Sequence, residues 1–133
     1  MSPSPIPLVV DTSAWMRHQG PVAVTYWEAI TRAELLVACP VAVLEILRTA
    51  RNEEEFTALD SNFAMLPQAT VTASVCSTAL TASRELGARR RLPIPDYLIA
   101  AAAAERGFGV LHADRHFDLL ATVLPFESVR LPE

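Results

Sequence analysis

Short apolar runs alternate along the chain with longer stretches in which apolar residues recur every three or four positions. The first run, Leu8 to Val10, is rich in β-branched residues and stops abruptly at Asp11. Such a run is typical of a strand that is buried on both faces. Similar short runs at residues 35–38, 110–112 and 126–129 predict three further strands.

Helical segments are predicted between these strands from apolar spacing and from end signals. Asn52 followed by Glu55 forms a capping-box pattern, and Gly87 and Gly107 follow the last residues of two apolar stripes. The predicted helices begin at Pro21, at Pro40, after Asn52, near Val75, at Pro95 and, for a short one, near Phe117. This alternation predicts an α/β fold, namely a three-layer α/β/α sandwich with a short, mainly parallel sheet.

The length of 133 residues fits one domain, which we expect to span residues 1–133 with a short flexible N-terminus at residues 1–5. The longest apolar run, Leu98 to Ala104, is too short to cross a bilayer, and the N-terminus does not resemble a secretory signal. We therefore expect a cytoplasmic protein without a membrane partner. Hydrophobic residues make up 51% of the chain, which predicts apolar surface that a partner covers.

The charged residues exclude several kinds of chemistry. The net charge is −4, and all eleven basic residues are arginine. Without lysine the chain has neither a phosphate-binding G-K-[ST] loop nor a Schiff-base nucleophile. Cys39 and Cys76 are isolated within apolar segments, which favours reduced, buried thiols over a disulfide or a zinc site. A pocket of acids in this chain would therefore need a hard metal ion.

Two acids follow predicted strands. Asp11 and Asp114 lie at the carboxyl ends of the first and third strands, and ligands of open α/β sheets bind at that edge. For Asp11 the sequence leaves an alternative open, because Asp-Thr-Ser is also a common start of a helix.

Two more acids lie on predicted helices. Glu45 is surrounded by apolar residues, so it must be paired or must bind a cation; Arg48, three residues on, offers an ordinary ion pair instead. Asp96 suits the first turn of its helix through the helix dipole, yet it shares a face with apolar residues that should pack on the sheet. Four carboxylates can thus converge on one pocket, where repulsion would raise their pKa values unless a divalent cation is present. Oxygen ligands favour Mg²⁺ or Mn²⁺ over Zn²⁺.

Four motifs, taken together, resemble the PIN domain and, more narrowly, the VapC-type toxins of bacterial toxin–antitoxin pairs. They are V-D-T-S, P-V-A-V-L-E-I-L-R, L-P-I-P-D-Y-L-I-A-A-A-A and V-L-H-A-D-R-H-F-D-L-L-A, and they extend over nearly the whole chain. The last two are the specific ones. The resemblance implies a Mg²⁺- or Mn²⁺-dependent endoribonuclease that acts as a toxin, forms a homodimer and is neutralised by a cognate antitoxin.

The same resemblance implies roles for individual residues. The catalytic acids would be Asp11, Glu45, Asp96 and Asp114; Asp11, Asp96 and Asp114 would bind the metal, and Glu45 would do so directly or through water. Thr12 and Ser13 would support the metal shell. Many relatives carry a second acid where this chain has His116, so a second metal ion is in question. Substrate RNA would be held by arginine, and the candidates are Arg89, Arg90, Arg91 and Arg115, with His116 as a further phosphate contact. The arginine run is also typical of a solvated helix end.

Two other classes of function remain open from the sequence. The domain could be a non-catalytic protein-interaction module whose acids are caps and ion pairs. It could instead be a metal-dependent phosphatase with Asp11 as nucleophile, although Ser13 occupies the position where such enzymes usually carry a second acid.

Overall fold

The computed structural model describes residues 6–133, so the predicted flexible N-terminus at residues 1–5 lies outside the described residues. Four strands form one sheet, and they coincide with the four predicted apolar runs to within one or two residues. Their bounds are β1 Leu8–Val10, β2 Leu36–Val37, β3 Gly109–His112 and β4 Glu127–Arg130. The sheet order is β2-β1-β3-β4, and every neighbouring pair is parallel.

Seven helices are described, and six of them correspond to predicted segments. Their bounds are α1 Thr12–Arg17, α2 Ala23–Arg32, α3 Pro40–Leu47, α4 Glu53–Ala64, α5 Ala73–Leu86, α6 Ile94–Arg106 and α7 His116–Leu120. The predicted capping box is confirmed, because the side chain of Asn52 accepts a hydrogen bond from the Glu55 amide at 2.8 Å. Gly107 closes α6 in the left-handed conformation, as expected for a glycine at that position.

The sheet has a helical layer on each face, which confirms the predicted three-layer fold. Successive side chains of a strand point to opposite faces: Val9 and Val110 pack with α5, α6 and α7, whereas Leu8 and Leu111 pack with α1 and α2. Helix α4 packs separately, since its Phe63 lies with residues of α3 and the end of β2.

Helix α6 is the most deeply buried helix of this part of the chain. Five consecutive residues, 99–103, have no exposed surface. Four of them are alanines, and this small size lets α3, α5, α7 and the sheet approach α6 closely. The helix is therefore held rigidly, and so is Asp96 in its first turn.

The structure differs from the sequence predictions in three places. Helix α1 was not predicted, because it has only six residues and contains no long apolar stripe. Helix α2 begins at Ala23, and Pro21 lies in the turn before it. Both cysteines are free as predicted, but only Cys39 is buried; Cys76 is exposed because it falls just off the buried stripe of α5. Among residues 6–133, no helix is long and apolar enough to cross a membrane.

Candidate metal centre

Asp11 lies where β1 passes into α1, and the helix cap that the sequence left open for it is formed. Its carboxylate caps α1 by accepting the Ser13 amide at 2.9 Å, and it also accepts the Ser13 hydroxyl. The side chain is only 4% exposed, and burial, the largest cause, raises its pKa; the charge of Glu45 adds to the increase, and the Ser13 hydrogen bonds oppose it. A helix cap therefore holds this buried acid at the carboxyl edge of the sheet.

Glu45 reaches the same region from α3. Its Oε1 accepts a hydrogen bond from Thr12 Oγ1 at 2.9 Å, which links α3 to the start of α1. The alternative ion pair with Arg48 is not formed within the described residues. The solvent face of α3 is occupied instead by Leu44, whose side chain is 66% exposed. Glu45 thus faces inward, as its apolar neighbours predicted.

Asp96, Asp114 and His116 form a compact group of possible ligands. One donor atom from each lies within 4.8 Å of the other two. His116 Nδ1 lies 2.9 Å from Asp96 Oδ2 and 3.1 Å from Asp114 Oδ1, and the His116 amide donates to the same Asp114 oxygen at 3.0 Å. Helix α6 and the loop after β3 are thereby brought together. Asp11 and Glu45 lie outside this group; the charge of Asp11 acts on Asp96, and the charge of Glu45 acts on Asp11.

Burial and neighbouring carboxylates change the pKa of Asp96 in this group. Burial, with added repulsion from Asp11 and Asp114, raises the pKa of Asp96 to about 6, while the His116 hydrogen bond opposes the shift. Asp96 is 8% exposed. Near neutral pH the ionised form of Asp96 therefore destabilises the folded protein. A cation placed between the carboxylates would remove this destabilisation. Carboxylate oxygens with a single imidazole nitrogen suit a divalent cation such as Mg²⁺ or Mn²⁺, so the residues present fit a metal.

Buried His112 has a role that the sequence did not reveal. The Asp114 amide donates to its Nδ1 at 3.2 Å, so a neutral ring carries its proton on Nε2, which lies 2.7 Å from Ser128 Oγ. Ser128 in turn donates to Asp118 at 2.7 Å. Burial lowers the pKa of His112, which keeps it neutral. Both ring nitrogens of His112 thus have hydrogen-bond partners, and the ring positions the Asp114 backbone.

The arginines divide between two clefts. Arg115 lines a cleft of about 590 Å³ beside Asp114, together with Arg17 and Arg130, which sequence reasoning missed. Arg90 and Arg91 line another cleft of about 440 Å³, and Arg89 is exposed nearby. The Tyr97 hydroxyl donates to the Arg90 carbonyl at 3.1 Å, which ties the arginine run to α6. Whether either set binds a ligand stays a prediction.

Comparison with known proteins identifies relatives that match most of the chain. Residues 8–123 match the sequence profile of the PIN domain. Ribonuclease VapC51 of Mycobacterium tuberculosis is 38% identical over 117 residues, which are 86% of this chain and 85% of that protein. Ribonuclease VapC18 of the same species is 33% identical over 119 residues, which are 86% of this chain and 87% of that protein.

Solved structures share the fold at lower sequence identity. The VapBC-5 toxin–antitoxin structure from Mycobacterium tuberculosis superposes with a TM-score of 0.69 at 21% identity, and the match covers 95% of this chain and 99% of that one. The DNA-bound VapBC structure from Salmonella typhimurium gives a TM-score of 0.76 at 14% identity, with coverages of 96% and 99%. At these identities the likeness concerns the fold.

Proposed function

The chain belongs to the PIN domain family, and we propose that it is a metal-dependent endoribonuclease of the VapC kind, the toxin of a toxin–antitoxin pair. Family membership supports nuclease chemistry, and two relatives at 38% and 33% identity are named ribonucleases. RNA is therefore the proposed substrate, and cleavage of its phosphodiester bonds the proposed reaction.

One observation carries this proposal. Asp96, Asp114 and His116 lie within ligand distance of one another beside the buried Asp11, at the carboxyl edge of the sheet. A protein-interaction module has no need to bury repelling carboxylates together. A phosphatase that attacks through Asp11 is also disfavoured, because that carboxylate is 4% exposed and accepts two hydrogen bonds from Ser13.

We assign each acid a role from its surroundings. Asp96 and Asp114 would hold the cation, with Asp11 contributing a ligand or its charge and Glu45 acting directly or through water. A bound Mg²⁺ or Mn²⁺ would offset the charge that develops on the phosphate and would activate a water. Thr12 and Ser13 keep Glu45 and Asp11 in place through the hydrogen bonds described above. Glu45 would orient water, and His116 would offer a nitrogen ligand while it keeps the two metal-binding acids at a fixed separation.

An antitoxin partner agrees with the solved structures that share the fold, since VapBC-5 is named as a member of the VapBC family of toxin–antitoxin systems. We further propose a homodimer, a cytoplasmic location and one domain over residues 1–133. Large apolar side chains are exposed on α3 to α6, which supports a surface that a partner covers. They include Leu44, Phe56, Met65, Leu80 and Ile94. A cation-binding group would also give a partner's arginine a place to pair with a carboxylate.

The proposal is tested by RNA cleavage with Asp96→Asn and Asp11→Asn. Each change removes one carboxylate charge without changing the side-chain volume, so we expect the fold to persist and Mg²⁺- or Mn²⁺-dependent cleavage to fall at least a hundredfold. Asp60→Asn is the matched control, since Asp60 is an exposed acid on α4. Cleavage that persists in both variants, or in excess chelator, would contradict the proposal.

The assembly is tested separately. The chain is co-expressed with the product of its neighbouring gene, and mass and ribonuclease activity are measured alone and together. We expect a dimer that binds this product and loses activity. A folded monomer that neither binds it nor loses activity would argue against both the dimer and the antitoxin.

A further inference from the structure

The 590 Å³ cleft beside Asp114 is lined by arginines from three separate elements. Arg17 comes from the end of α1, Arg115 from the loop after β3, and Arg130 from the end of β4. Its volume lies within the range of roughly 300–1,000 Å³ that is typical of ligand-binding clefts. Cations that are up to 113 positions apart in sequence thus meet at the border of the acidic group. We call this set the arginine cleft.

Hydrogen bonds join the arginine cleft to the metal centre. Arg17 Nη1 donates to the Ala113 carbonyl at 3.1 Å, and the Ala113 amide donates to Ser13 Oγ at 2.9 Å. Ser13 in turn donates to the carboxylate of Asp11. A ligand in the cleft is therefore held at a fixed position relative to the acids. The bond to Ala113 uses one of the five N–H donors of Arg17.

The acids that now face these arginines hold them weakly. Arg17 lies 4.0 Å from Glu133, and Arg130 lies 4.0 Å from Asp118, with all four side chains more than half exposed. Exposed pairs of this kind contribute at most about 1 kcal/mol. Arg115 is exposed and makes no side-chain ion pair within residues 6–133. A polyanion can therefore replace these partners at little cost.

The charge of the chain makes such a cleft necessary for RNA binding. A net charge of −4 and the neighbouring carboxylates of Asp11, Asp96 and Asp114 repel a phosphodiester. Cations at the edge of the acids can hold the strand against this repulsion, and guanidinium groups can bind phosphate through two parallel hydrogen bonds. We propose that Arg17, Arg115 and Arg130 bind the phosphates of the RNA strand next to the bond that is cut. This inference rests on the proposed ribonuclease function.

The test measures binding without cleavage. A labelled single-stranded oligoribonucleotide is titrated in chelator at several salt concentrations, and the double variant Arg115→Gln, Arg130→Gln is compared with the parent. Arg17 is left unchanged because it holds the Ala113 loop. Removing one arginine–phosphate contact should lower the salt slope by roughly 0.7, so for two contacts we expect a decrease of about 1.4 and an affinity about 25-fold weaker at 0.1 M salt.

A matched control removes the same charge elsewhere. The double variant Arg32→Gln, Arg51→Gln breaks two exposed ion pairs on other elements, with Glu28 and Glu55, and should leave the salt slope within about 0.3 of the parent. If the cleft variant behaves like this control, or if the parent does not bind the oligonucleotide, the inference is overturned. A decrease in salt slope that occurs only in the triple variant Arg89→Gln, Arg90→Gln, Arg91→Gln would also overturn it, because the RNA strand would then bind in the other cleft.

The outcomes distinguish this inference from the proposed function. If the cleft variant lowers the salt slope as expected but the parent does not cleave RNA, the result supports the arginine cleft and contradicts the nuclease. A cleft variant that binds RNA normally but no longer retains the antitoxin would assign the cleft to an acidic protein segment, which overturns the inference while the nuclease stands.

Discussion

His116 Nδ1 lies 2.9 Å from Oδ2 of Asp96, although the two residues are 20 positions apart and belong to different helices. The contact joins the first turn of the most buried helix to the loop that carries Asp114. It places an imidazole where an additional carboxylate would only add repulsion. The acidic group of this chain is therefore already partly compensated before any cation binds, and its properties should depend on pH and on the kind of metal.

Stability in chelator should decrease as the pH rises through the titration of Asp96. The pKa of this acid is about 6 in the folded protein, against 3.8 for a fully solvated aspartate, so the folded state binds more protons between these values. The contribution of protonated Asp96 to the free energy of unfolding is therefore fully present below about pH 4 and is lost by about pH 7. The shift corresponds to on the order of 3 kcal/mol. The free energy of unfolding is measured by urea titration across this range.

Asp96→Asn should remove this dependence, because the amide does not ionise, and the variant should gain stability over the parent as pH rises. Asp60→Asn should follow the parent curve. The raised pKa of Asp11 acts in the same direction and leaves a smaller slope in the Asp96 variant. If parent and Asp96→Asn differ by a constant amount at every pH, Asp96 does not titrate in this window.

Metal preference should change with His116. An imidazole among carboxylates favours Mn²⁺ over Mg²⁺ more than an all-oxygen group does. The ratio of Mn²⁺ to Mg²⁺ affinity, measured by calorimetry, should therefore fall several-fold in His116→Asp. Bound Mn²⁺ should show nitrogen coupling in pulsed electron paramagnetic resonance in the parent and none in the variant. A parent without this coupling would show that the ring only orients the acids.

Ser128→Ala should destabilise the protein through His112. The ring of His112 has no exposed surface, and its Nε2–H donates to Ser128 Oγ at 2.7 Å. Removing the hydroxyl leaves a buried donor without its acceptor, which costs about 1–3 kcal/mol. Ser77→Ala, on the exposed face of α5, should stay within about 0.5 kcal/mol. The parent and both variants are compared by urea denaturation, and equal costs for the two changes would contradict the role of His112.

The sequence predicted those parts of the molecule that depend on local signals. Leu8 to Val10 ended at an acid, Pro40 opened a helix, and Asn52 capped one, because neighbouring residues decide each of these features. The two interpretations of Asp11, helix cap or site acid, could not be separated locally, since the cap is formed at the same sheet edge where a site acid would lie.

The missed residues depend on distant pairing. Arg17 and Arg130 meet Arg115 only because α1 lies over the end of β3 and because β4 pairs with β3, with His112 opposite Arg130. Ser128 reaches His112 for the same reason. No spacing along the chain predicts such contacts, whereas Asp11 and Asp114 could be placed at the same edge from the sequence, because strand ends in a parallel sheet share one edge.

The β3–β4 pairing itself can be tested at Gly109. A Cβ atom there would lie 2.8 Å from Leu8 Cδ2 and 2.9 Å from the Glu127 carbonyl oxygen. The leucine side chain can shift, but the carbonyl belongs to the backbone of β4, so the strand itself must move. Gly109→Ala should therefore cost about 1–3 kcal/mol, as overpacking in a core does.

The same shift of β4 should also disturb the metal centre, because β4 carries Ser128 and Arg130. We expect Gly109→Ala to weaken Mn²⁺ binding, although the substitution lies at the opposite end of β3 from Asp114. Gly107→Asn is the control: no atom lies within 4 Å of its Cβ position, and asparagine tolerates the positive φ of 68°. This control tests backbone strain without crowding, so it should change Mn²⁺ affinity little even if it lowers stability. Full stability in Gly109→Ala would mean that β4 can move away freely, and the positions of Ser128 and Arg130 would then not depend on tight packing at Gly109.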